Sequence, residues 1–201
     1  MDTRTANIEF ENDDAPRAFE EKAFGFWTWL MSDAILFALL FATYAVMAGN
    51  LAGGPSGRTL FDLSHTAVET LLLLTSSVTF GLASVSANRD RSSATLAWLA
   101  VTCLLGLGFV GMEVSEFRGM AAAGAGPDRS GFLSAFFTLV GTHGLHVGAG
   151  LTWIVLSGIE IASRGLTTQA ASRLYRLGLF WHFLDIVWVG IFSIVYLPEL
   201  R

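Results

Sequence analysis

Eight ionisable side chains interrupt otherwise apolar stretches of this sequence: Asp33, Glu69, Glu113, Glu116, His143, His146, His182 and Asp185. Six of them form pairs three residues apart, Glu113 with Glu116, His143 with His146, and His182 with Asp185. On a helix that spacing puts both members of a pair on one face. Histidine and carboxylate at helical spacing can ligate iron or zinc inside a bundle. A ferritin-like centre would need Glu-x-x-His on two helices, and the sequence has none. Proton transfer is a second chemistry open to buried carboxylates. Asp33, alone in its apolar run, suits it best, but a relay needs a continuous chain of acids or waters. The third role is hydrogen bonding between helices, about 0.6 kcal/mol per bond in membranes. We assign the eight to helix packing or lipid contact, and expect no catalytic, cofactor-binding or metal-ligating residue.

The surrounding composition is that of a membrane protein. Hydrophobic residues make up 53% and charged residues only 14%, where a soluble domain carries about 25% charge. Mean hydropathy is +0.55. The net charge of −5 owes much to seven acids within the first 21 residues, and no basic footprint for nucleic acid is present. The lone Cys103 lies in an apolar run and reads as a small buried hydrophobe.

The elements that must position the polar residues follow from the basic ones. Lys or Arg at the bilayer centre costs about 2.5–3.5 kcal/mol, and a spanning helix needs about 20 residues. Five gaps between basic residues exceed that length: 23–57, 59–88, 92–117, 130–163 and 177–200. Trimmed to their apolar parts, they predict an all-α polytopic bundle with transmembrane helices near 24–48, 66–87, 94–118, 131–158 and 178–198. Runs this long and continuously apolar exclude the alternating strands of about 10 residues that build membrane barrels. An acidic, mobile cytoplasmic tail is expected over 1–23, and one transmembrane domain over 24–201. The first apolar run is too long for the core of a cleaved signal, about 7–15 residues.

Orientation follows from the same residues. With five crossings, Arg4, Arg17, Lys22, Arg89, Arg91, Arg164, Arg173 and Arg176 share the side of the N-terminus, against Arg58, Arg118, Arg129 and Arg201. The positive-inside rule puts the N-terminus in the cytoplasm and the C-terminus in the periplasm. Asp33, His182 and Asp185 then fall in the inner half of the membrane, Glu69, Glu113 and Glu116 in the outer half, and His143 and His146 near the middle. Acids and histidines at different depths are not expected to converge. Ala34, Ala38 and Ala42, and Gly144 with Gly148, recur every four residues and read as faces for close helix packing.

Several segments are longer than chance would supply. They are Gly25-Phe26-Trp27-Thr28-Trp29-Leu30-Met31-Ser32-Asp33, Met112-Glu113-Val114-Ser115-Glu116-Phe117, Gly126-Pro127-Asp128-Arg129-Ser130-Gly131-Phe132, Gly141-Thr142-His143-Gly144-Leu145-His146, and Phe180-Trp181-His182-Phe183-Leu184-Asp185. Together they resemble subunit III of the haem–copper terminal oxidases, and within that family the five-helix form found in cytochrome o ubiquinol oxidases. The resemblance implies a subunit without redox centres in a bacterial inner-membrane complex that oxidises ubiquinol, reduces dioxygen and pumps protons. Haems, copper and quinol chemistry would belong chiefly to subunit I, the main partner. The helices would form a V-shaped arrangement whose cleft holds phospholipid. Asp33 matches the position of a carbodiimide-reactive glutamate in mitochondrial-type relatives. The matched histidines and Asp185 would be structural. Two alternatives stay open: subunit III of a cytochrome c oxidase, and a stand-alone transporter, which would call for inverted repeats or broken helices.

Overall fold

The computed structural model describes residues 3–200, and all regular elements among them are helical. Met1, Asp2 and Arg201, which belong to the expected tail and the expected outer basic set, lie outside the described residues. In chain order the helices are α1 (Thr3–Met47), α2 (Gly57–Leu60), α3 (Leu63–Asn88), α4 (Ser92–Ala122), α5 (Gly131–Arg164) and α6 (Thr168–Ile191). A π-helical turn, Phe192–Tyr196, and a 3-10 turn, Leu197–Leu200, complete the chain. Five segments are long and apolar enough to cross a membrane: Ala23–Met47, Ser64–Asn88, Ser92–Ala122, Gly131–Arg164 and Thr168–Tyr196.

The five expected spans all fall within these segments or one to two residues from their ends, but the helices run further. Charge gaps trimmed to apolar residues report the hydrocarbon, about 30 Å, whereas α5 has 34 residues and so is about 50 Å long at about 1.5 Å per residue. Its polar end, 159–164, was left out of the trimmed span for that reason. The stretch 168–177, outside the expected span, is the first part of α6. Thr167 caps it, its side chain accepting from the Ala170 N–H at 3.1 Å. The residues before the first apolar run belong to α1 from Thr3 onward.

The chain divides into two units, Met1–Leu36 and Phe37–Arg201. In the first, α1 satisfies its hydroxyls locally: Thr28 Oγ1 donates to the Phe24 carbonyl at 3.0 Å, and Ser32 Oγ to the Thr28 carbonyl at 3.2 Å. Such back-bonding satisfies the Thr28 and Ser32 hydroxyls without water.

In the second unit α3 packs on α4 and α6, and α5 also packs on α4 and α6, which closes a ring of four helices. Phe80, Phe109, Leu139, Val140, Trp181 and Trp188 fill its interior and are all buried. The remaining part of α1 adds Phe37 and Tyr44 to this unit, with Phe37 against His146 at 5.2 Å and Tyr44 against Phe132 at 6.0 Å between ring centroids. Caps define the ring's ends. Asp62 accepts from the Ser64 N–H at 2.9 Å to start α3, and Ser130 from the Leu133 N–H at 3.2 Å to start α5. Gly165, at φ +74°, ends α5 in a conformation that side chains resist.

Close approaches between helices occur at glycines other than those expected. A Cβ on Gly150 would lie 3.0 Å from the Trp181 ring, one on Gly106 3.1 Å from the same ring, and one on Gly178 2.9 Å from Phe80. Gly144 has only the Glu113 Cγ at 3.9 Å, and Gly148 has nothing within 4 Å. Ala38 and Ala42 are exposed in this chain. Four-residue spacing identifies a face, but the neighbour's bulky ring decides which small residues are needed.

Candidate functional site

The polar residues of the spans sort into three local environments. In the first, hydroxyls of α3 receive donors from α6. Trp181 Nε1 donates to Ser76 Oγ at 3.1 Å, and Ser76 Oγ passes a bond to the Leu73 carbonyl at 2.6 Å. Trp188 Nε1 donates to Thr70 Oγ1 at 3.1 Å. Thr79 and Thr102 share a hydroxyl–hydroxyl bond of 2.8 Å between α3 and α4. His182 joins the same seam. Its Nδ1 lies 2.8 Å from Ser77 Oγ and 3.4 Å from Asp185 Oδ2, so the serine bond is the stronger and the aspartate contact lies outside the usual range. Asp185 Oδ1 is buried without a hydrogen-bond partner.

The second environment is aromatic. His143 is fully buried, with neither ring nitrogen hydrogen-bonded. Trp188 stacks on it at 5.3 Å, and Phe109 and Phe37 meet its edges at 5.9 and 6.3 Å. The cage holds the imidazole among aromatic rings. His146 Nδ1 lies 2.7 Å from the Thr142 carbonyl. A carbonyl only accepts, so Nδ1 carries the proton.

The third is acidic. Glu69 on α3 and Glu116 on α4 converge with His65, their ligand atoms all within 4.8 Å of one another. His65 Nδ1 lies 3.5 Å from Glu69 Oε1 and 4.0 Å from Glu116 Oε2. Glu113, one turn before Glu116, is within electrostatic reach of both acids. The π turn brings the Tyr196 hydroxyl beside Glu116. Pro198 explains the turn, because it has no N–H for the Ile194 carbonyl and its ring crowds that position.

His65 and Tyr196 escaped the sequence reading. The expected span began at 66, one residue past His65, whereas the Asp62 cap starts the helix at Leu63. An Asp ahead of an apolar run is a start signal that would have exposed the i,i+4 relation of His65 and Glu69. Tyr196 depends on a non-α turn that no periodicity reports. Of the other residues assigned from sequence, His143, His146, His182 and Asp185 lie in the second unit, in the environments above. Asp33 and Ala34 lie in the first unit, close to the midpoint of the Ala23–Met47 span.

Two grooves flank the C-terminal half of α5. One, of about 580 Å³, is lined by Glu160, Arg164, Arg173, Arg176, Trp153 and Leu156 among others, with an Arg173–Glu160 ion pair of 2.8 Å. The other, of about 510 Å³ between α4 and α5, is almost wholly apolar and includes Leu96, Cys103 and Ala162. Ile159 borders both.

Residues 9–199 match the model of the family described as cytochrome c oxidase subunit III. The chain belongs to that family. Its subunit III proteins serve haem–copper oxidases, so this is one chain of a multi-subunit membrane complex. Cytochrome bo(3) ubiquinol oxidase subunit 3 of Pseudomonas aeruginosa is 53% identical over 190 residues, 94% of this chain and 91% of that protein. The subunit 3 of the same name from Pseudomonas putida is 56% identical over 173 residues, 86% of this chain and 84% of that one. Cytochrome c oxidase subunit 3 of Bacillus sp. strain PS3 is 44% identical over 194 residues, 96% and 89% of the two chains. Within this subunit III, the long motifs noted in sequence lie on α1, α4, α5 and α6 and at the Ser130 cap.

Proposed function

We propose that this chain is the non-catalytic subunit III of a proton-pumping cytochrome o-type ubiquinol oxidase in the bacterial inner membrane. It packs against subunit I, which holds the haems and copper and meets ubiquinol, and it retains structural phospholipid. The observation that carries this reading is the near full-length identity of 53–56% to two proteins named ubiquinol oxidase subunit 3. The Bacillus relative named for cytochrome c at 44% identity keeps the cytochrome c oxidase reading as the one rival.

The site geometry supports a supporting role. His143 is enclosed by aromatic rings, and the seam hydroxyls are spent on interhelical bonds. The groove with Arg164, Arg173 and Arg176 adjoins an apolar groove through Ile159. Cations beside an apolar channel suit a phospholipid phosphate with its acyl chains. A tag on this chain should co-purify a haem-bearing oxidase from detergent-solubilised membranes. Recovery of the chain alone, stable and free of haem-bearing partners, would refute the assignment.

A further inference from the structure

We propose that His65, Glu69 and Glu116, with Glu113 in support, form a binding site for a transition-metal dication, Zn²⁺ being the simplest occupant. This departs from the expectation of a metal-free chain, which left His65 out of the count. Zinc bonds to imidazole and carboxylate at about 2.0–2.2 Å, so tetrahedral ligand atoms stand about 3.3 Å apart. His65 Nδ1 and Glu69 Oε1 already stand 3.5 Å apart, and His65 Nδ1 and Glu116 Oε2 4.0 Å. All three ligand atoms lie within 4.8 Å of one another, so side-chain shifts on the order of 1 Å close the set.

The burial of these carboxylates also points to a ligand. Both oxygens of Glu69 and both of Glu113 are buried without a hydrogen-bond partner, on side chains 0% and 3% exposed. Carboxylates kept from water need a cation, a donor or a proton. Glu113 lies one helical turn before Glu116, within electrostatic reach of the other two acids. A dication answers several carboxylates at once. The imidazole nitrogen argues against Ca²⁺ and Mg²⁺, which take oxygen ligands. Access is available as well, because the His65 side chain is 31% exposed and lies in the first turn of α3. Four-coordination leaves room for Glu113 or a water as the last ligand.

The test uses the whole oxidase, captured through a tag on this chain. The complex is equilibrated with Zn²⁺ alone, gel-filtered into metal-free buffer, and assayed for zinc per haem by elemental analysis. His65→Phe and the double variant Glu69→Gln/Glu116→Gln are treated identically, with haem content per tagged chain as the control for assembly. The wild type should retain about one zinc per complex more than either variant. Equal zinc per haem in the wild type and His65→Phe would overturn the site. His65→Phe decides alone if the double variant fails to assemble, since position 65 is partly exposed and its ring is replaced by another.

Discussion

At the scale of single residues, the membrane-depth polar groups do different work according to their neighbours. Trp188 shows how closely the roles are joined: one face stacks on His143, while its N–H donates to Thr70 Oγ1 at 3.1 Å. Thr70 Oγ1 in turn donates to the Thr66 carbonyl at 2.8 Å. Thr70→Val keeps the shape and strands the indole N–H, at a cost of about 1–2 kcal/mol. Thermal dissociation of the purified complex should fall to a lower temperature for Thr70→Val and stay near the wild type for Thr70→Ser, which keeps the acceptor. The ionisable residues themselves were legible, since an acid or histidine in an apolar run declares itself. Their partners were not. Ser76, Ser77, Thr70 and Thr102 look unexceptional in sequence, and only the packing of α3 against α4 and α6 makes them acceptors. His65 was missed because the expected span began at 66 where the helix starts at Leu63, and His65 decides whether the acids read as isolated or as a ligand set.

At the scale of elements, the helices meet through rings seated on glycines. Trp181 is wedged between Gly106 on α4 and Gly150 on α5, with a projected Cβ 3.1 and 3.0 Å from its ring. Gly150→Val should therefore destabilise by about 1–3 kcal/mol through overpacking. Gly148→Ala, with nothing within 4 Å of its Cβ, should be neutral or slightly stabilising, because Ala favours helix by up to about 1 kcal/mol in water. Subunit retention during thermal challenge separates the two. Helix existence was readable because the basic residues avoid hydrocarbon; helix ends were not, because α5 and α6 continue beyond it into polar turns. The choice of packing glycines was likewise hidden. It depends on which helix presents Trp181 or Phe80, a property of tertiary arrangement rather than of spacing along one chain.

At the scale of the whole molecule, if all five candidate spans cross, their odd number is expected to leave the two ends of the chain on opposite sides. The basic residues favour an inner N-terminus by eight to four. A phosphatase reporter, active only outside the cytoplasm, should be active when fused after residue 201 and inactive when inserted in the turn at Asp90. The reverse pattern would invert the topology and move His65, Glu69 and Glu116 to the cytoplasmic side. Family membership was legible from the motifs on α1, α4, α5 and α6, each a contiguous stretch of one helix. On the proposed function the electron donor acts outside this chain, so it is measured on the assembled complex. The most direct measurement is oxygen uptake by the complex captured through this chain, with ubiquinol or reduced cytochrome c as the only donor. A haem-bearing complex that consumes oxygen with ubiquinol and not with cytochrome c is the predicted result. Oxygen uptake driven by cytochrome c alone, or a captured chain with no oxidase activity, would contradict the account.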